Sequence, residues 1–214
     1  MQTTLYLIRH GESEANRRNT FLGHYDLGLT DTGHRQAEIT AAYLVEHLCP
    51  DAIYSSDLSR AYQTACPAAE HFGLPIHKDP ELREIMAGKW ENVPFAEIAV
   101  RYRESYHTWL TDIGNAHPDE GESVLALQER IVAAVTRIAM AHPGKTVLIF
   151  THATPVRVLA AHCQNTPMNE IKDIPWVTNA SVTKVVFDGE KLSLADYGRD
   201  DFMGSMTTRL ADNV

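Results

Sequence analysis

Two short, mostly apolar runs, residues 4–8 and 146–150, each end in a polar segment that contains a histidine. The first run continues into Arg9 and His10, and the second continues into a threonine and His152. Runs of this length and composition are typical of strands that are buried on both faces of a parallel sheet. Because ligands bind at the edge where the carboxyl ends of parallel strands meet, we expect the two histidines to lie close together.

Amphipathic helices alternate with the predicted strands along the chain. Helices are predicted over 30–48, 56–72, 94–110, 122–141 and 154–161, further strands over 52–55, 75–77, 182–187 and 192–196, and loops over 11–29, 79–93 and 111–120. The last two strands are joined through Asp188 and Gly189, which is typical of a hairpin. The pattern predicts a three-layer α/β/α fold with a mostly parallel central sheet and an antiparallel C-terminal element. The tail after Gly198 carries no strong pattern.

Two hydroxyl residues, Thr30 and Ser56, are predicted to begin helices because their side chains can accept hydrogen bonds from the first turn. The predicted buried face of the first of these helices includes Val45. Arg60 would lie in the first turn of the second helix and lean back toward the sheet edge. A cation in that position opposes the helix dipole, which indicates an anionic partner, either a bound anion or Asp57.

Composition narrows the class of protein. The chain has 214 residues, of which 44% are hydrophobic, and a net charge of −9 at pH 7. This predicts a single domain over residues 1–214, with a small helical lid insert over 86–120, and a surface that repels nucleic acid and anionic membranes. There is no apolar stretch long enough to span a membrane and no recognisable signal peptide. Three widely spaced cysteines indicate reduced thiols in a cytoplasmic protein.

The residues that follow the predicted strands suit the chemistry of phosphate. Guanidinium groups such as those of Arg9 and Arg60 match phosphate oxygens in geometry and charge. A neutral histidine such as His10 is a competent nucleophile that requires no metal. Together with His152, the arginines would stabilise the charge that develops on the transferring group. No pair of histidines has convincing zinc-ligand spacing, so the sequence predicts metal-free phosphoryl transfer.

Several segments, in a fixed order, resemble the motifs of the histidine phosphatase superfamily, also called the phosphoglycerate mutase-like family. They are Leu7-Ile8-Arg9-His10-Gly11-Glu12, the stretch from Phe21 to Ala37, Tyr54-Ser55-Ser56-Asp57-Leu58-Ser59-Arg60-Ala61, Leu82-Arg83-Glu84-Ile85, Gly121-Glu122-Ser123 and Phe150-Thr151-His152. The resemblance covers most of the chain. It implies a histidine phosphatase-type fold and an enzyme that acts on a small phosphorylated metabolite, with no metal and no organic cofactor.

The same resemblance implies roles for individual residues. His10 would be the phosphorylated nucleophile and Glu84 the proton donor, while Arg9, Arg60 and His152 would form the phosphate pocket. The residues implied to contact the substrate are Asn16, Gly23 and Ala153. A carboxyl group beside a phosphate dianion is pushed toward its protonated form, which suits an acid, and it can later take a proton from the attacking water. Glu12 and Glu81 remain alternative acids.

The chain departs from the family pattern at three positions. Ala153 stands where glycine is usual, Asn92 stands where glycine is common, and His24 stands where an aromatic residue is common. These departures affect the predicted shape of the pocket and leave the predicted chemistry intact. Tyr102, Tyr106, His107 and Trp109 either line a substrate pocket or pack in the core and on the surface.

Three functions are compatible with these motifs. Hydrolysis is favoured because the segment between Glu84 and Gly121 is short and the second arginine block reads Ser-Asp-Leu-Ser-Arg, unlike the Lys-Arg-containing block of the mutases. The alternatives are a phosphoglycerate mutase and a binding module that uses the fold without turnover. The identity of the phosphate ester and the oligomeric state, including a homodimer, stay open.

Overall fold

The structure is a computed structural model that describes residues 1–209. The strands are β1 Thr3–Arg9, β2 Thr20–Phe21, β3 Ala52–Ser55, β4 Ile76–Lys78, β5 Val93–Pro94, β6 Thr146–Thr151, β7 Val182–Phe187 and β8 Leu192–Arg199. The α-helices are α1 Glu14–Arg18, α2 Asp31–His47, α3 Ser59–Phe72, α4 Phe95–Arg101, α5 Arg103–Thr111, α6 Val124–Ala141 and α7 Ala153–Gln164. Short 3-10 turns cover Pro80–Leu82, Gly88–Trp90, Ile113–Asn115, Met168–Asp173 and Asp201–Met206.

Six of the strands form the central sheet, in the order β4-β3-β6-β1-β7-β8. The first four of these run parallel, and β7 joins the edge of β1 in the antiparallel direction with β8 antiparallel beyond it. Alternate residues of β6 point to opposite faces: Val147 and Ile149 pack with α6 and α7, whereas Leu148 and Phe150 pack with α2 and α3. Both faces of the sheet are therefore covered by helices, and the predicted α/β fold is confirmed.

The register between β1 and β6 brings the two histidines together. Arg9 pairs with Thr151, so His10 and His152 are the first residues beyond the paired strands. The backbone N–H of His10 donates to the carbonyl oxygen of Thr151 at 3.0 Å. Both histidines therefore leave the sheet at the same edge, as the sequence predicted.

Some local predictions were wrong because tertiary contacts override the local pattern. The helix predicted over 94–110 is divided at Tyr102, whose φ of −126° and ψ of 45° interrupt the helical backbone between α4 and α5. Val45, predicted to be buried, is 41% exposed. The loop predicted over 11–29 contains the short elements α1 and β2. Helix α2 does begin at the cap formed by Thr30, which accepts a hydrogen bond from the N–H of Gly33.

Helix α3 begins later than predicted. Its first residue is Ser59, and the preceding cap residue, Leu58, offers no side-chain hydrogen bond. The hydroxyl of Ser56, predicted to cap this helix, instead lies 2.9 Å from Nε2 of His152 and accepts a long bond from the N–H of Leu58. Ser56 therefore belongs to the functional edge of the sheet, and its prediction as a helix cap was wrong.

The segment 86–120 is connected to the loop that follows β1. Strand β5 pairs with β2 in a small antiparallel ladder. Phe21 makes edge-to-face ring contacts with Trp90, Phe95 and Trp109. This is a favourable geometry for pairs of aromatic rings. The segment thus covers one side of the sheet edge, although its role as a lid and the single-domain organisation stay predictions.

Gly33, in the first turn of α2, has no side chain and so allows the helix to pack against the loop after His10. A Cβ atom on Gly33 would lie 2.1 Å from the carbonyl oxygen of Glu12. Backbone atoms cannot give way as a flexible side chain can, so we expect Gly33→Ala to lower the free energy of unfolding by about 3 kcal/mol. Urea denaturation checks this against His34→Ala, which changes an exposed position on the same helix turn. Equal denaturation midpoints for the two variants would contradict the predicted clash.

No helix within residues 1–209 combines the length and the apolar character needed to cross a membrane. The cytoplasmic location and the homodimer are untested by the structure and stay predictions.

Candidate active site

A cleft opens at the carboxyl edge of the parallel strands, with an empty volume of about 490 Å³. Every site residue predicted from the sequence lines this cleft except His152, whose ring contacts that of His10. The lining residues predicted from the sequence are Arg9, His10, Asn16, Gly23, Arg60, Glu84 and Ala153. Aromatic and aliphatic side chains also line the cleft, namely Phe21, Leu22, Phe95, Trp109 and Trp176. The cleft therefore combines cationic groups with apolar surface.

His10 is held in one orientation and one tautomer. Its Nδ1 lies 2.7 Å from the carbonyl oxygen of Gly11. Because a carbonyl can only accept a hydrogen bond, Nδ1 carries the proton and Nε2 carries the free lone pair. Burial, reinforced by the charges of Arg60 and Arg9, holds the pKa of His10 well below 6.5. The ring is therefore neutral at pH 7, with Nε2 as its nucleophilic nitrogen.

The two cleft arginines are buried without carboxylate partners. Arg60 donates from Nη2 to the carbonyl oxygen of Gly23 at 2.8 Å and from Nη1 to that of Tyr25 at 3.2 Å. Arg9 donates from Nη1 to the carbonyl oxygen of Val177. Burial lowers the pKa of each arginine to about 10, so both remain charged at pH 7.

Neither cleft arginine has a carboxylate in direct contact within the described chain, although the negative charge of Glu84 lies near enough to act to raise the pKa of both. Among residues 1–209 neither guanidinium forms an ion pair. Asp57, the alternative partner considered for Arg60, is paired with Arg83 instead. Burying a cation is costly unless an anion compensates it, so the pair of guanidinium groups marks an anion-binding site.

The ring of His152 packs against the ring of His10. The centroids of the His10 and His152 rings are 5.2 Å apart at an interplanar angle of 62°. Nε2 of His152 bonds the Ser56 hydroxyl, whereas its buried Nδ1 has no hydrogen-bond partner in the described part of the chain. Burial, with a further contribution from Arg60, also holds the pKa of His152 well below 6.5. A bound oxyanion is the partner that would satisfy Nδ1.

Glu84 is the acidic side chain among the cleft-lining residues. Its carboxylate accepts hydrogen bonds from the N–H of Ile85 at 2.9 Å and, at 3.4 Å, from that of Thr154 in the first turn of α7. Glu12 accepts from the Thr30 hydroxyl instead, and neither Glu12 nor Glu81 lines the cleft. The geometry therefore favours Glu84 over both alternatives as the acid.

Two residues that the sequence did not single out fix the positions of these groups. Arg130 on α6 donates to the carbonyl oxygens of Glu81, Arg83 and Glu84 and pairs with Glu122, so it fastens the loop that carries the acid. Asn179, which is fully buried, donates from Nδ2 to the carbonyl oxygen of His10 at 3.1 Å. Both contacts join segments far apart in the chain and leave no local sequence signal.

Backbone geometry and local hydrogen bonds hold the residues that the sequence predicted to contact substrate. Asn16 accepts hydrogen bonds from Ser13, which caps α1, and from Asn179. Gly23 has a φ of +56°, and a Cβ there would lie 2.7 Å from the Cβ of Ala87, so only glycine fits. Asn92, where the family commonly has glycine, adopts the left-handed conformation with a φ of +59°. Asparagine tolerates that region, so this departure preserves the backbone.

The buried histidines predict that acid destabilises the protein. Because the pKa values of His10 and His152 are lowered by folding, the folded protein binds fewer protons than the unfolded chain below about pH 6.5. We expect the free energy of unfolding to fall by about 1 kcal/mol per histidine from pH 6.5 to 5.5. Urea denaturation at both pH values should show a smaller fall for His10→Ala than for the exposed control His71→Ala. Equal pH dependence in the two variants would contradict this.

This combination of an α/β sheet edge, a neutral histidine and buried unpaired arginines defines a protein built to bind phosphate-like anions. The sequence model of the histidine phosphatase superfamily (branch 1) matches residues 5–200. The chain belongs to this superfamily, and the resemblance seen in the sequence is confirmed.

Individual relatives agree with this assignment. A bifunctional protein of Mycobacterium tuberculosis is 37% identical over 73% of this chain, which spans 43% of the length of that relative. Phosphoserine phosphatase 1 of Hydrogenobacter thermophilus is 33% identical over 72% of this chain and 73% of its own. The solved structure of Bacillus stearothermophilus YhfR is 33% identical, with a TM-score of 0.89 over 94% of this chain and 99% of its own. The match in fold extends over nearly the whole described chain.

The remaining site predictions concern cofactors. Within residues 1–209 no three His, Cys, Asp or Glu side chains are grouped as a metal site. The expectation that the reaction needs neither a metal nor an organic cofactor stays a prediction.

Proposed function

We propose that the protein is a phosphomonoesterase that hydrolyses small phosphate esters through a phosphohistidine on His10. The observation that carries this proposal is that Arg9 and Arg60, buried and without carboxylate partners, line the same cleft as a neutral imidazole. A phosphate dianion supplies the missing charge and places phosphorus beside the nucleophile. Membership of the histidine phosphatase superfamily and a relative named phosphoserine phosphatase support the same activity.

The proposed reaction has two displacements at phosphorus. Nε2 of His10 attacks in line, a P–N bond forms, and the P–O bond to the alcohol breaks while Glu84 gives its proton to the leaving oxygen. Arg9, Arg60 and His152 stabilise the charge on the equatorial oxygens. Water then attacks phosphorus, Glu84 takes its proton, the P–N bond breaks and inorganic phosphate leaves. The enzyme returns to its starting protonation state.

The cleft also limits the substrate. The residues that line the cleft indicate which kind of ester it would hold. Besides the cationic groups, Phe21, Leu22 and Phe95 contribute apolar surface to the cleft, and this surface forms its apolar wall. We infer an ester whose alcohol part carries carbon surface to place against this wall. A phosphatase assay over a library of phosphorylated metabolites would identify the preferred ester.

Hydrolysis and mutase activity differ in whether water or a second alcohol reaches the phosphohistidine. We expect incubation with 3-phosphoglycerate, with and without bisphosphoglycerate, to release inorganic phosphate without forming 2-phosphoglycerate. Accumulation of the isomer would overturn hydrolysis in favour of a mutase. The absence of both products, together with no labelling of His10 by a phosphate donor, would indicate a binding module without turnover.

A further inference from the structure

Arg157 on α7 is the third buried arginine among residues 1–209, after Arg9 and Arg60. Its side chain leaves the residue only 5% exposed, and it forms no ion pair in the described chain. Burial lowers the pKa of Arg157 to about 10, so the guanidinium stays charged at neutral pH. The two other arginines in this condition line the cleft of the proposed phosphate site, and the same physical reasoning applies to the third.

The contacts of Arg157 leave part of the guanidinium unsatisfied. Nη2 donates to the carbonyl oxygen of Lys172 at 2.8 Å, and the guanidinium carbon lies 4.1 Å from the centroid of the Trp176 ring. Nε is buried and has no hydrogen-bond partner in the described residues. Asp173, whose negative charge acts to raise the pKa of Arg157, pairs directly with the amino group of Lys172 at 2.9 Å and not with the guanidinium. A neutral carbonyl and an aromatic face do not replace an anion.

A pocket opens beside this guanidinium. It is lined by Trp109, Leu110, Ile113, Arg157, Lys172, Ile174, Pro175 and Trp176. The indole N–H of Trp109 is also buried and has no acceptor among the residues described. The residues that line this pocket thus include a buried arginine without an ion pair and a tryptophan whose N–H lacks a partner, both within the described part of the chain, and a carboxylate or phosphate group suits such donors.

The pocket adjoins the proposed active site. Trp109 and Trp176 line both the pocket and the catalytic cleft, and their rings stack with centroids 6.3 Å apart. A ligand in the cleft that extends along the apolar wall would approach Arg157 at the edge of these rings.

We propose that the pocket of Arg157 and Trp109 binds a carboxylate or phosphate group, which belongs to a substrate whose reacting phosphate lies on Arg9 and Arg60. The assignment of this group to a substrate rests on the proposed phosphatase function. A small free anion could occupy the pocket by the same chemistry. The experiments below distinguish a free anion from a group carried by the substrate. Arg157 is thereby a specificity-determining residue for esters that carry a second negative charge.

The first experiment compares matched esters that differ only in the second anionic group. The pairs are 4-carboxyphenyl phosphate against phenyl phosphate, and 3-phosphoglycerate against glycerol 3-phosphate. We expect kcat/KM of the wild type to favour the carboxylated member of at least one pair by about 10-fold or more, as a charge-assisted hydrogen bond provides. Arg157→Met should abolish that preference, whereas Arg157→Lys should retain part of it because the charge remains.

Arg101→Met is the matched control, because it removes an exposed guanidinium from α4 and makes the same change in net charge. It should keep the wild-type preference, which separates a local effect of Arg157 from long-range attraction. A wild type without preference in either pair, or an Arg157→Met variant that keeps the preference, would overturn the substrate-borne assignment. Thermal melting of each variant verifies that it is folded, and Arg157→Lys provides the test if Arg157→Met does not fold.

The second experiment tests the pocket without catalysis. Sodium benzoate is titrated while tryptophan fluorescence is recorded, since Trp109 and Trp176 line the pocket. Saturable quenching that is lost in Arg157→Met and kept in Arg101→Met supports an oxyanion site. If that quenching occurs without any ester preference, the occupant is a separate small anion. The absence of Arg157-dependent quenching together with no ester preference overturns the inference entirely.

The two proposals fail in different ways. If phenyl phosphate is hydrolysed but neither carboxylated ester is preferred and benzoate does not bind, the Arg157 inference fails and the phosphatase function stands. If none of the esters is hydrolysed by the wild type, the proposed function fails, and the benzoate titration still decides whether Arg157 holds an anion.

Discussion

His10→Ala is expected to lower kcat against p-nitrophenyl phosphate by at least about 10⁴-fold, as removal of a catalytic nucleophile does. The variant keeps Arg9 and Arg60, so it should still bind phosphate while failing to form a phosphoenzyme. The reason is geometric: Nδ1 of His10 is engaged by the Gly11 carbonyl, and Nε2 is the lone pair available in the cleft. Steady-state rates and labelling with a radioactive phosphate donor provide the measurements.

His71→Ala provides the matched control, because it removes an exposed imidazole from the end of α3. Free imidazole added to His10→Ala tests the role more sharply, since a small nucleophile can enter the space left by the side chain. We expect partial recovery of the rate for His10→Ala and no effect on His71→Ala. A His10→Ala enzyme with full activity would show that another group attacks phosphorus.

Glu84→Gln is expected to have an effect that depends on the leaving group. General acid catalysis contributes about 10²–10⁴-fold when the leaving oxygen needs a proton. We therefore expect kcat/KM to fall by about 10³-fold for an alkyl ester such as glycerol 3-phosphate. For p-nitrophenyl phosphate, whose leaving group departs readily as an anion, the loss should be about 10-fold or less.

The amide oxygen of glutamine can still accept the hydrogen bond from the N–H of Ile85, whereas the long bond from Thr154 is lost, so the substitution removes the acid with little change in shape. Glu81→Gln is the control, because Glu81 is exposed on the same loop and was the alternative acid in the sequence. A loss that is equal for both esters would argue against proton donation by Glu84. A leaving-group effect in Glu81→Gln would transfer the role to that residue.

The sequence predicted the groups that follow strands, because strand ends have a simple relation to the sheet edge. The run before His10 and the run before His152 were recognisable, and parallel register then required the two histidines to meet. The sequence left two partners open for Arg60, a bound anion or Asp57. It could not decide between them because the pairing of Asp57 with Arg83 depends on loop geometry. The catalytic roles themselves stay predictions.

Long-range contacts explain what the sequence did not predict. Ser56 resembles a helix cap, yet its hydroxyl contacts His152, a residue on another segment. Arg130 and Arg157 each lie on a helix, and their contacts are with loops from other parts of the chain. The local sequence around each arginine therefore does not indicate what it contacts. The break at Tyr102 involves neither glycine nor proline, so local propensity gave no reason to divide the helix.

A crystal structure with orthovanadate would show whether His10 attacks phosphorus, because vanadate adopts the geometry of phosphorus during transfer. We expect vanadium bonded to Nε2 of His10, with its oxygens in contact with Arg9, Arg60 and Nδ1 of His152. Vanadate bound elsewhere, or held in the cleft without a bond to His10, would contradict this expectation.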